Sequence, residues 1–136
     1  MRIMGIDYGD ARTGIAISDL LCSIVGTTFV IHSRGREKTL QEICRLVEEN
    51  DVGQIVMGLP KNMDGSEGAR AQLCREFAQL VEERTGISVT MWDERRTTVE
   101  AHNILSAHNY HGKKRKNTVD AVAAALILEG YLAFRR

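Results

Sequence analysis

Four acidic residues of this chain stand where a protein can do chemistry. Asp7 follows the apolar run Arg2 to Ile6, whose Ile3, Met4 and Ile6 suit a strand covered on both faces. Asp93 and Glu94 follow another such run, Ile87 to Trp92. Asp120 lies in the last helical segment, with Ala123, Ala124 and Ile127 at i+3, i+4 and i+7, so its carboxylate projects from an inward, small-residue face. An unpaired charge buried there costs several kcal/mol and must be compensated. As the third residue after Asn117, Asp120 can serve simply as a helix cap. It can also meet the other acids, because ligands of an open α/β sheet collect beyond the C-terminal ends of the strands. If the last helix begins near that edge the carboxylates converge, and mutually repelling carboxylates are best tolerated around a hard cation such as Mg²⁺ or Mn²⁺.

Holding these acids requires a particular run of elements. The turn residues Tyr8 to Thr13 and the apolar run Gly14 to Ser18 make the first two strands a hairpin. Ile24 to Ile31 is a third strand, broken by Ser33-Arg34-Gly35-Arg36. Leu40, Ile43, Cys44 and Val47 give a helix over about Glu37 to Glu49. Gln54 to Gly58 is a fourth strand, ending in the loop Leu59-Pro60-Lys61-Asn62-Met63-Asp64-Gly65, a natural place for function. Asp64 with Glu67 predicts a capping-box start to a second helix, whose apolar face runs from Leu73 to Val81 before Thr85-Gly86 ends it.

Beyond Arg95 and Arg96, Thr97 with Glu100 predicts a helix through about Ala107. The basic tract Lys113, Lys114, Arg115 and Lys116, within His111 to Asn117, has no apolar anchor and reads as a mobile loop. Asn117 then caps a last helix from Thr118 to about Phe134. Three hairpin-linked strands followed by βα crossovers predict an α/β fold: a mixed five-stranded sheet, its first three strands antiparallel, flanked by helices on both faces.

The length suits one domain over residues 1–136, with a core that needs no staples. No apolar run approaches the roughly 20 residues that span a bilayer, and Asp7 and Asp10 interrupt any signal-peptide core, so no membrane partner and a cytoplasmic location are expected. Cys22, Cys44 and Cys74 are widely spaced and read as reduced thiols. The formal net charge of +0 means that any polyanion site is a local patch. Aromatic residues make up 5% of the chain, so recognition of strand geometry is expected to outweigh base stacking.

The chain resembles the YqgF (RuvX-like) family of Holliday junction resolvases and pre-16S ribosomal RNA nucleases, within the RNase H-like superfamily. The resemblance rests on Gly5-Ile6-Asp7-Tyr8-Gly9 with Arg12, Gly14 and Ala16; on Gly58 to Ser66; on Trp92-Asp93-Glu94-Arg95 with Thr97-Thr98; and on Asp120-Ala121-Val122-Ala123-Ala124. It implies an RNase H-like fold and two-metal phosphodiester hydrolysis, with Asp7, Glu94 and Asp120 as catalytic, metal-binding carboxylates. Two Mg²⁺ or Mn²⁺ ions about 4 Å apart would activate a water and stabilise the leaving 3′-oxygen. Glu94 is chosen over Asp93 because a residue past the strand end has more freedom to turn toward Asp7, although spacing alone leaves the pair unresolved. Asp64 is an outer acid or a cap.

Around this centre Arg12, Lys61, Asn62 and Arg95 are candidates to meet phosphates. Lys113 to Lys116 could close over a backbone as a salt-sensitive clamp, or be a solvated loop without a partner. The expected partner is structured RNA, above all the 5′ region of precursor 16S ribosomal RNA. Branched DNA is the alternative, disfavoured by the neutral charge. The chain would be a monomer or a homodimer, and a junction resolvase should be a symmetric dimer. Three other readings compete. His102, His108 and His111 invite zinc but lack a Cys partner. The turn from Asp7 to Gly14 looks like a phosphate loop of actin-like ATPases, which use two such domains. The third is a non-catalytic nucleic-acid-binding factor. Trp92 reads as core.

Overall fold

The computed structural model describes residues 1–94 and 112–135, with residues 112–120 given by their backbone alone. The strands are β1 (Arg2–Asp7), β2 (Arg12–Ser18), β3 (Val25–His32), β4 (Val52–Leu59) and β5 (Val89–Asp93), and the helices α1 (Arg36–Glu49), α2 (Ala69–Thr85) and α3 (Gly112–Arg135). One sheet runs in the order β3-β2-β1-β4-β5. The first three strands are antiparallel, whereas β4 lies parallel to β1 and β5 parallel to β4. The mixed five-stranded sheet read from the sequence is therefore present.

Strand alternation divides the apolar side chains between two cores. Met4, Ile6, Ile15, Ile17, Ile55, Met57 and Leu59 meet Leu40, Ile43, Phe77 and Val81 of α1 and α2. Ile3, Ala16 and Val56 point the other way, onto Ala124, Ile127 and Leu128 of α3. Trp92 joins this second core, edge-on to Tyr131 at 6.2 Å between centroids. Helices thus cover both faces. The inner strands β1, β2 and β4 each bury a continuous stretch, as strands covered on both sides require, whereas the edge strands β3 and β5 do not.

Two expected starts differ. The second helix has no capping box at Asp64: its N-cap is Gly68, without a side-chain bond. Asp64 instead accepts hydrogen bonds from the Ser66 N–H at 2.9 Å and the Ser66 hydroxyl at 2.6 Å, closing a turn inside the loop. That local bond competes with capping, as it does for Asp and Ser in general. The last helix starts at Gly112 rather than Thr118, so the predicted loop at His111 to Asn117 is corrected: Lys113 to Lys116 are helical and Asn117 is no cap. Lys and Arg are good helix formers, and nothing after Gly112 breaks the tract. The predicted helix at Thr97, Arg95, and the histidines His102, His108 and His111 lie outside the described residues.

Candidate active site

Asp7 ends β1, opposite Gly14 of β2. Ile3 packs on α3 while Met4 and Ile6 face α1 and α2, so the two-residue period assigns Gly5 and Asp7 to the α3 side. The same count decides between the acids after β5. Val89 and Met91 face α2 and Trp92 faces α3, which assigns Asp93 to the α2 side and Glu94 to the α3 side. Contacts agree. A Cβ built on Gly58 of β4 would lie 2.5 Å from Glu94 Cγ and 2.6 Å from Glu94 Cδ, so the Glu94 side chain crosses the strand where Gly58 leaves room. Glu94, not Asp93, shares the face of Asp7.

Asp120 has a different position from the one a cap would hold. It is the ninth residue of α3, beyond the first turn in which capping and the helix dipole act. One turn later, Ala124 lies against β1: a Cβ on Gly5 would meet the Ala124 carbonyl oxygen and Leu128 Cβ, both at 3.0 Å. The direction of α3 follows from its contacts with β4. The Gln54 side-chain amide bonds the Tyr131 hydroxyl, and Gly58, farther along the strand, meets Ile127. The helix therefore runs back against β4, and its backbone at Asp120 lies toward the strand ends that carry Asp7 and Glu94.

Asp7 and Glu94 offer carboxylate oxygens, the donors preferred by Mg²⁺ and Mn²⁺. The open space over Gly58, which any Cβ would fill, is what admits the second of them. This donor chemistry fits a divalent ion. Among the described residues, His, Cys, Asp and Glu form no group of three placed to hold a metal.

Beneath the site lie groups that the sequence pattern did not single out. Arg70, in the first turn of α2, donates to the Tyr8 carbonyl and, at 2.8 Å, to Asp10. Tyr8 stacks on Phe77, with centroids 3.9 Å apart and planes 4° from parallel. Burial raises the pKa of the Tyr8 hydroxyl. It also pushes the Cys74 thiol up to about 11; Arg70 opposes the shift, and Glu94, Asp7 and Asp10 add to it. Both acids and the arginine thus act on one buried sulfur. The clue in the sequence was slight: Arg70 and Phe77 are seven residues apart, on one helix face.

The proposed phosphate contacts fare unequally. Arg12 opens β2, and its carbonyl oxygen would sit 2.2 Å from a Cβ on Gly9, so the turn after Asp7 demands glycine there. Lys61 and Asn62 follow β4 in residues 60–68. The Asn62 amide is engaged in its own loop, donating to Ser66 Oγ at 3.0 Å, while the Asn62 N–H donates to the Ser66 carbonyl at 2.9 Å. Lys61 acts electrostatically on Glu67, which is paired with Arg75 at 2.7 Å. Lys113 to Lys116 put four cations in the opening turns of α3, with no acid in the first turn.

No helix among the described residues is long and apolar enough to cross a membrane. The fold matches that of Thermus thermophilus RuvC solved with a Holliday junction substrate (TM-score 0.66, 12% identity, 99% of this chain and 95% of that one). It also matches a fowlpox virus resolvase solved with Holliday junction DNA (TM-score 0.61, 10% identity, 99% of each chain). At such identities the likeness is one of fold, and it bears out the RNase H-like architecture. Closer relatives are named as candidate pre-16S rRNA nucleases. That of Halothermothrix orenii is 44% identical over 135 residues, 99% of this chain and 96% of the relative. That of Carboxydothermus hydrogenoformans is 39% identical over 135 residues, 99% and 98% of the two chains. Residues 1–134 match the family described as "RuvX: Holliday junction resolvase", and with relatives this similar over its whole length the chain belongs to that family.

Proposed function

We propose that residues 1–136 act as one nuclease domain that hydrolyses phosphodiester bonds in the cytoplasm, with the 5′ region of precursor 16S ribosomal RNA as substrate. The observation that carries this is the meeting of Asp7 and Glu94 on one face at the C-terminal edge of the sheet, where ligands of such sheets collect. Its substrate is the one named for relatives about 40% identical to this chain. Asp7, Glu94 and Asp120 would hold Mg²⁺ or Mn²⁺. The bound ions would activate water and stabilise the leaving 3′-oxygen.

The remaining roles belong to the chain itself. The β1 ladder places the Asp7 backbone, and the gap over Gly58 admits the Glu94 side chain, so both acids are brought to one face before substrate arrives. Arg12, Lys61, Arg95 and the Lys113 to Lys116 turns neutralise phosphates, which makes binding weaken as salt rises. Asn62 acts mainly by shaping its loop. A four-way DNA junction is the second reading, favoured by the two resolvases solved with such DNA. It asks for a symmetric dimer.

The test incubates purified protein with Mg²⁺ or Mn²⁺ and either precursor ribosomal RNA or a DNA four-way junction. Wild type should cut the RNA, and Asp7→Asn should lose on the order of a thousandfold in rate. Cleavage of the junction alone transfers the assignment to DNA. If neither substrate is cut, or the variant cuts as wild type does, the catalytic reading fails.

A further inference from the structure

After Asp7 the chain leaves the sheet and returns as β2 at Arg12, so the position of the Asp7 carboxylate depends on how the intervening turn is held. Besides the Gly9 N–H bond to Thr13 Oγ1 and the Ser33 N–H bond to the Ala11 carbonyl, part of the holding comes from one helix. The Arg70 guanidinium donates to the Tyr8 carbonyl and to Asp10 Oδ1, and its central carbon stands 5.4 Å from the centroid of the Tyr8 ring. Phe77 covers a face of that ring at 3.9 Å, so the guanidinium lies on the opposite face. Seven residues of helix rise about 10.5 Å, enough to fit a ring between the two side chains. Tyr8 is thus clamped by Arg70 and Phe77 of α2, and its backbone is bonded to the same arginine.

We propose that Arg70 is a positioning residue for Asp7, fixing the Tyr8 peptide so that the carboxylate one residue earlier is held for metal binding. The proposal rests on the reading of Asp7 as a metal ligand. Metal sites need their ligands held to within about 0.5 Å by neighbouring groups. The Arg70–Asp10 pair does little of this, since Asp10 is 83% exposed and exposed pairs hold weakly. The bond to the Tyr8 carbonyl, made from behind the turn by a side chain 35% exposed, is the constraint. A different role for an arginine beside such a site, direct contact with a substrate phosphate, makes the opposite kinetic prediction.

The experiment measures Mn²⁺ affinity of the full chain by water-proton relaxation, together with thermal unfolding and kcat and KM on precursor RNA. It compares wild type, Asp7→Asn, Arg70→Met, Arg70→Lys and a control, Arg45→Met, on the exposed face of α1. Arg70→Met should weaken Mn²⁺ about 10- to 100-fold while still unfolding cooperatively, and should lower kcat with KM unchanged. Arg70→Lys, which keeps the charge but loses the planar guanidinium that bonds the Tyr8 carbonyl while standing over the Tyr8 ring, should follow it; if Arg70→Met does not fold, the lysine variant decides. Arg45→Met should bind Mn²⁺ as wild type does. The proposal is overturned if Arg70→Met keeps wild-type Mn²⁺ affinity, if it raises KM at constant kcat, or if lysine restores full affinity. If Asp7→Asn binds Mn²⁺ like wild type, the ligand reading falls and takes the proposal with it. If Asp7→Asn loses affinity and Arg70→Met does not, the proposal alone fails.

Discussion

The two faces of the sheet are built differently. Against α1 and α2 the strands present large aliphatic side chains in unbroken alternation, from Met4 and Ile6 through Ile15, Ile17, Ile55 and Met57 to Leu59. Against α3 they present Ile3 and Val56 interrupted by Gly5, Ala16 and Gly58, and α3 answers with Ala124. The small residues let a helix backbone approach the strands closely, which at Gly5 leaves no room for a methyl group without movement. At the strand tips the first face ends in Leu59 beside Asp93, whereas the second ends in two acids from different strands, Asp7 and Glu94. A thick apolar face supplies stability, and that allows the thinner face to carry charges at its rim.

The sharpest way to break this division is to exchange damage between the faces. Glu94→Gln keeps size and shape, so it should leave urea unfolding at pH 7, where the Cys74 thiol is protonated in both states, unchanged while lowering the cleavage rate on the order of a thousandfold, about 4 kcal/mol in barrier. Ile43→Ala, at a position with no exposure in α1, should cost about 2–5 kcal/mol of stability and leave single-turnover cleavage by the folded fraction as in wild type. If Ile43→Ala slowed cleavage as much as Glu94→Gln, the two faces would not be separable in function.

Gly58 lies where the two demands meet. Its absent Cβ would press on Glu94 Cγ and Cδ and, at 2.7 Å, on Ile127 Cδ1, all of them side-chain atoms able to shift. Gly58→Ala should therefore cost a moderate 1–3 kcal/mol, roughly the cost of an overpacked methyl group. It should also move the Glu94 carboxylate and lower cleavage about 10- to 100-fold. Loss of stability with full activity would show that the gap serves packing only. The expected joint loss would mark Gly58 as the residue through which the second acid reaches the site.

The mixed five-stranded sheet with its antiparallel first three strands, and the position of Asp7 at the end of the first, were legible because hairpin turns, apolar runs and βα spacing are local signals. Asp93 and Glu94 were not separable by spacing, because the choice depends on which face Trp92 takes, and only packing on α3 sets that. The start of α3 was misread because a basic tract without apolar residues is as compatible with helix as with loop; helical continuation removes capping as an explanation for Asp120. Arg70 stayed hidden for another reason. Its partners, Tyr8 and Asp10, lie 62 and 60 residues away, and no periodicity in one segment reports a contact made across the fold.

The smallest effect probes whether the faces are electrically as separate as their packing implies. Cys74 belongs to the α1/α2 core, yet Asp7 and Glu94 act on its thiol from the rim of the other face. Burial is the main cause that takes the thiol from 9.0 to about 11, so the native chain keeps this proton over a range in which the unfolded chain releases it. The associated stability is complete below pH 9 and is lost as pH rises toward 11, by up to ~3 kcal/mol. Burial raises the Cys44 thiol in the same direction, so both contribute to the decline. Urea unfolding between pH 8 and pH 10.5 should show stability falling in wild type and falling less in Cys74→Ala. Glu94→Gln should lie between the two, because it removes one of the charges that raise the thiol while leaving it buried. A Glu94→Gln slope equal to that of wild type would mean that the charge at the rim is screened from the core beneath it, and that the two faces are independent electrically as well as in packing.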